Sequence, residues 1–162
     1  MTSHYLEEDA TAIEQAEYEL KRVDHLIYVS LKYTRTVDVI KNIIDRLIAT
    51  YDNVWDDFLI RAERERKIFE IPKAPGAKCA IIKKLWVEDE KVLEFIQFYL
   101  HLRQFNQAEY TAHKEFRRHV LMKAVFTNGE THEINIDIIT EYYNRTKEFL
   151  EFVRKSYFSK EE

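Results

Sequence analysis

The sequence predicts a mainly α fold, an antiparallel helical bundle of about five helices with one β-hairpin before the C-terminal helix. Three observations carry this prediction. Only two glycines and two prolines occur in 162 residues, and three of those four fall within Pro72-Lys73-Ala74-Pro75-Gly76, so nothing breaks a helix before that corner. Apolar residues recur at steps of three and four, the period of a helix seam. Asn128-Gly129, set between two runs of strand-forming residues, is the one strong hairpin signal.

In the first half the seam runs through Ile13, Ala16, Leu20, Val23 and Ile27, and its register then reaches Ser30 and Thr34. A second seam runs through Val37, Ile40, Ile44, Leu47, Tyr51, Val54 and Phe58. Joining the two requires two successive steps of three, at Thr34, Val37 and Ile40, so the phase slips. Thr34-Arg35-Thr36 supplies two β-branched residues of low helix propensity and good capping chemistry, which marks the slip as a turn. Two antiparallel helices over 9–33 and 36–70 are expected, a hairpin spanning 9–70, with one continuous bent helix as the rival. The second helix ends in the mixed-sign run Arg61–Lys67, read as a solvated helix end, with a phosphate-contacting patch as the alternative.

The remaining elements occupy 77–158. A short helix after Gly76 carries Ile81, Ile82, Leu85 and Trp86, and a longer one starting at Asp89 or Glu90 is apolar around most of its circumference, which places it centrally. The hairpin follows. A three-residue loop Thr127-Asn128-Gly129, with Gly129 left-handed, aligns Val120, Met122, Ala124 and Phe126 with His132, Ile134 and Ile136 on one apolar face; a two-residue loop would leave both faces mixed. Such a hairpin should lie on the bundle or extend a sheet in a second subunit. Asp137 is expected to cap the final helix, whose seam runs through Ile139, Tyr142, Tyr143, Thr146, Phe149, Leu150, Val153 and Tyr157.

Composition bounds the function. Nearly half of the residues are hydrophobic, 46%, enough for one sizeable core, and no low-complexity tether divides the chain, so 1–162 reads as a single domain. A formal charge of −4 means that nucleic-acid binding needs a local basic patch. Cys79, the only cysteine, rules out an intramolecular disulfide and reads as a packing residue. No run is apolar enough to span a membrane, and Met1-Thr2-Ser3-His4-Tyr5-Leu6 lacks a signal core, so no membrane association and a cytoplasmic location are expected. Asp52, Asp56 and Asp57 lack the Glu-x-x-His or His-Glu-x-x-His partners of a metal site, and neither a metal nor a cofactor is expected.

One constellation carries chemistry. If the central helix continues past Phe105, then Arg103, Asn106, Tyr110, His113 and Arg117 form a stripe at steps of three and four, followed by Arg118 and His119. Arginine offers charge to a phosphodiester, histidine a proton, tyrosine and asparagine hydrogen bonds. Arg103, Asn106, Tyr110 and Arg118 are the candidate binding residues, and His113 and Arg117 the catalytic candidates.

The opening hairpin around Asp24-His25-Leu26-Ile27-Tyr28-Val29-Ser30-Leu31-Lys32-Tyr33-Thr34-Arg35-Thr36, with the helices after it, resembles the HEPN class of helical domains in outline over residues 10 to 157. The resemblance implies a dimeric helical module, and in catalytic members RNA cleavage at the dimer interface by an arginine with a histidine a few residues downstream. No arginine here has a histidine at that spacing, so the dimer is implied more strongly than the nuclease. The expected function is a non-catalytic interaction module, homodimeric, binding a protein partner or RNA. The alternative is a divergent HEPN-type ribonuclease using His113 and Arg117. An apolar-ligand carrier, suggested by abundant phenylalanine and tyrosine, gives way because such residues at helical spacing read as core.

Overall fold

The structure, a computed structural model, describes residues 2–158, with side-chain surroundings from residue 12 onward. The first helix, α1, starts at Thr2, ahead of the expected residue 9. It runs as Thr2–His25, loosens into one π-helical turn at Leu26–Ser30, and closes with Leu31–Tyr33. The π turn accounts for the phase of the seam. Ala16, Leu20, Val23 and Ile27 are buried as the spacing requires, and the wider turn then brings Leu31 inward in place of Ser30.

The chain turns at Thr34-Arg35-Thr36, so the hairpin reading holds and the continuous helix does not form. Thr36 caps α2 (Val37–Arg64), its hydroxyl accepting from the Val39 amide at 3.3 Å. The predicted seam of α2 is buried throughout, joined by Ile43, Ile48, Trp55 and Leu59. The helix stops at Arg64, short of the expected residue 70. Arg66 adopts a left-handed φ of 64°, and the amides of Lys67 and Arg66 return to the carbonyls of Ala62 (2.9 Å) and Glu63 (3.0 Å). That is a Schellman end built without glycine, hence without a sequence signal.

Proline at the first helical position starts α3 (Pro75–Leu85), and Asp89 caps α4 (Glu90–Gln104) by accepting from the amides of Lys91 and Val92. Here the expectation fails in one respect: α4 does not continue past Phe105. Phe105 turns into the core within a single 3-10 turn, Phe105–Gln107, and the chain leaves as a strand.

That strand, β1 (Glu109–His113), was not expected. It pairs antiparallel with β2 (Leu121–Val125), which pairs with β3 (Thr131–Ile134), giving a three-stranded meander in place of a lone hairpin. The hairpin register is the predicted one, Ala124 opposite His132 and Met122 opposite Ile134. Its loop is Thr127-Asn128-Gly129, with Gly129 at a φ of 91° and the Asn128 side-chain oxygen accepting from the Glu130 amide at 2.9 Å. Asn135, not Asp137, caps α5 (Ile136–Tyr157), accepting from the Ile138 amide at 2.8 Å; Asp137 sits in the first turn, where its charge suits the helix dipole.

The core is largely aromatic. Tyr51 of α2 stacks on Phe149 of α5 at 4.3 Å, with Trp55, Phe95 and Phe98 around them, and Thr146 donates its hydroxyl to the Tyr51 oxygen at 3.2 Å. Burial raises the Tyr51 pKa and keeps the phenol neutral. Among the described residues no helix is long and apolar enough to cross a membrane.

The two left-handed turns give opposite expectations. Gly129→Val should destabilise by about 1 kcal/mol or more, whereas Arg66→Gly should stabilise by about 1 kcal/mol, because only the second removes a side chain from a left-handed position. Urea unfolding midpoints measure both; equal midpoints for Gly129→Val and the parent chain would contradict the loop.

Candidate nucleic-acid interface

A helix that begins after a three-residue corner leaves its first amides without helical acceptors. In α2 the Val39 amide is served locally by Thr36, but the Val37 amide is served from 78 residues away, by the Glu115 carboxylate at 2.8 Å. The Phe116 amide in turn donates to the Arg35 carbonyl at 2.7 Å. These two bonds dock the β1–β2 loop, residues 114–120, onto the 34–36 corner. Lys114 and Phe116, on either side of Glu115, hold left-handed φ values of 55° and 65°. Neither is glycine, so each position costs on the order of 1 kcal/mol, offset by the docking bonds.

Docking gathers more cations than acids. Lys32 lies in the last helical turn before the corner, Arg35 in the corner itself, and Lys114, Arg117 and Arg118 in the loop, with Asp38 and Glu115 as the nearby acids in sequence. Glu115 is already committed to the α2 amide. Some cations elsewhere are paired, as in Lys41–Asp45 (2.7 Å), Arg46–Glu19 (3.1 Å), Arg61–Asp57 (2.8 Å) and Lys78–Asp56 (2.8 Å). Among the described residues, none of the five lysines and arginines of this tip enters an ion pair. Two rings stand out from the same tip, Tyr33 at 77% and Phe116 at 72% exposure. The Arg35 Nε, by contrast, is buried without a hydrogen-bond partner.

The predicted stripe is divided among three places. Arg103, at the end of α4, lies 3.6 Å from Asp52 and within 3.4 Å of the Tyr99 hydroxyl. Asn106, in the 3-10 turn, faces Lys41 at 3.5 Å, and with Arg103 it lines a cavity of about 320 Å³ beside Pro75 and Gly76. Tyr110 and His113 are on β1 but on opposite faces: Tyr110 pairs with buried Ala124, while His113 pairs with Leu121 on the outer face and contacts the Thr111 hydroxyl at 2.9 Å. Arg117 and Arg118 belong to the docked loop, both exposed. The structure therefore brings Arg103 together with Asn106, and Arg117 with Arg118, but makes no single row of all five helical positions.

Other candidates resolve into packing. Asp52 accepts from the Tyr99 hydroxyl, and burial raises its carboxyl pKa; Asp56 is held by Lys78, and Asp57 by Arg61. Burial pushes the Cys79 thiol up to about 11, leaving it protonated at neutral pH, the reverse of an activated nucleophile. The sequence singled out Arg117, Arg118 and His119 at the end of the stripe, but Lys114, Lys32, Tyr33 and Arg35 were missed as their neighbours. The joining bonds are long-range and leave no local pattern. No family model, curated protein or solved structure matches the chain, so the reading of the tip rests on its geometry.

Removing the docking carboxylate tests the tip directly. Glu115→Ala should lower stability by about 1 kcal/mol, the worth of a helix cap, while Glu109→Ala, an exposed acid of the same meander, should stay within about 0.5 kcal/mol of the parent in urea unfolding.

Proposed function

We propose that this protein is a non-catalytic helical module that binds single-stranded RNA at the docked tip. One observation carries the reading: cations that enter no ion pair among the described residues are brought from two distant segments to a tip with two exposed aromatic rings. Cations track a phosphate backbone, and exposed rings stack unpaired bases, a combination that suits a single strand and tolerates sequence. A protein partner would more commonly find a patch depleted in lysine. The outline resemblance to the HEPN class points the same way. Homodimerisation and a cytoplasmic setting stay part of the proposal, the former supported by the exposed Tyr18, Tyr28 and Val29 of α1.

The ribonuclease reading loses support from the division of the stripe. His113 and Arg117 no longer lie one helical turn apart, and the His113 ring is engaged by its strand neighbour Thr111. Weak, salt-dependent binding without cleavage is the expected behaviour.

Fluorescence anisotropy with labelled single-stranded RNA across a salt series tests this. Replacing both Arg117 and Arg118 by alanine should weaken binding and flatten the slope of log K against log salt by about 1.4, roughly 0.7 for each phosphate that is no longer neutralised. Phe116→Ala should weaken binding at least about fivefold with the slope unchanged, as removal of a stacking platform requires. Lys84→Ala, an exposed cation on α3, should do neither. An unaltered affinity in the double variant would refute the tip as the binding surface. Cleavage in chelator by the parent chain but not by His113→Ala would overturn the non-catalytic reading.

A further inference from the structure

The seam between the meander and the helices holds a second group of polar side chains, remote in character from the tip. His101 of α4 lies with its ring centroid 5.0 Å from that of His132 on β3, edge to face at 73°. Its Nε2 is 3.1 Å from the Tyr142 hydroxyl of α5. Around the two imidazoles are Phe98, Phe105 and Phe126, the last stacked on His132 at 4.2 Å. The charged groups that face His101 come from every side: His132 and Glu130 from the hairpin, Arg145 from α5, and Glu94 from α4 itself. Glu130 is spoken for, with its carboxylate 3.1 Å from His132 Nε2. A cavity of about 310 Å³, lined by Glu94, Gln97, Phe98, His101, Tyr142 and Arg145, reaches His101 and gives a proton a route to the ring.

We infer that His101 and His132 form an acid-sensitive latch, which holds the β2–β3 hairpin against α4 and α5 when the pair carries at most one proton and lets it loosen when both rings are protonated. Two features make the doubly protonated state costly. A second imidazolium would stand 5.0 Å from the first, among aromatic rings that cannot solvate it, and Arg145 would repel the charge on His101. Of the two carboxylates named, Glu130 already serves His132, and Glu94 lines the cavity on the α4 side. The latch goes beyond the RNA reading and stands whether or not the tip binds RNA.

The direction follows from proton counting. Burial, then His132, lower the His101 pKa from its ordinary 6.5, so the closed seam binds fewer protons than the open one. Closure is thus fully favoured above that ordinary value and is lost progressively as pH falls below it. For a single histidine the opening constant can rise at most about tenfold between pH of about 7.5 and about 5.5.

Native-state amide exchange, corrected for the intrinsic pH dependence, reads this at the Phe126 amide, which donates to the Glu130 carbonyl across the hairpin. Opening there should rise several-fold from the higher to the lower pH while amides in the middle of α2 hold steady, and the rise should shrink in His101→Gln and in His132→Gln. No rise in the parent chain, an equal rise in both variants, or an equal rise throughout α2 would overturn the latch. Should the variants fail to fold, the ring-proton titration of His101 in the parent chain decides: a midpoint below 6.5 supports the latch, and one at or above that ordinary value sinks it.

Discussion

The start of α2 must satisfy amides that no helical carbonyl reaches, and the chain answers with a carboxylate borrowed from the other half of the molecule. Thr36 supplies the local cap, but the bond from the Val37 amide to Glu115 ties the meander to the corner between the two long helices. The second bond, from Phe116 to Arg35, fixes the loop through its own backbone. Corner, sheet and surface charge are consequently one arrangement. A negative side chain at a helix N-terminus is favourable in itself, and here it also removes the loop's only acid from the exposed cationic surface.

The two ends of the meander are held by different physics. At the tip, charge-assisted and backbone hydrogen bonds hold a loop with two strained, non-glycine positions, Lys114 and Phe116. At the seam, aromatic packing of Phe126 and His132 against His101 and Phe105 does the holding, with hydrogen bonds only at the periphery. The first is sensitive to removal of one carboxylate, the second to addition of protons. The bundle beneath depends on neither, since Tyr51, Trp55, Phe58 and Phe149 pack α2 against α5 independently of the sheet.

Much of this architecture was legible in the residues. The phase slip at Thr34-Arg35-Thr36 announced the turn, because apolar spacing on a helix is rigid enough that one misplaced step stands out. The hairpin register was legible for a similar reason: period-two alternation admits one loop length that puts Met122, Ala124 and Ile134 on the same face. β1 was illegible, since Glu109-Tyr110-Thr111-Ala112-His113 is mostly exposed and shows no apolar alternation; pairing with β2 imposes its conformation. The end of α2 was missed because Arg66 occupies a position where glycine is the usual signal. As for the site, Arg117 and Arg118 were visible as candidate residues, but their arrangement with Arg103 assumed a helix that the burial of Phe105 ends. The contribution of Lys32, Tyr33 and Arg35 exists only through bonds between segments distant in the chain.

The central claim is that the 114–120 loop and the 34–36 corner form one surface. Residue-resolved hydrogen exchange tests it most directly through the two amides that make the junction, Val37 and Phe116. Both should exchange far more slowly than the amides of Arg118 and His119 in the same region, and Glu115→Ala should release both together. Rapid exchange at Phe116 in the parent chain, or release of Val37 alone in the variant, would contradict a docked loop and with it the shared cationic surface.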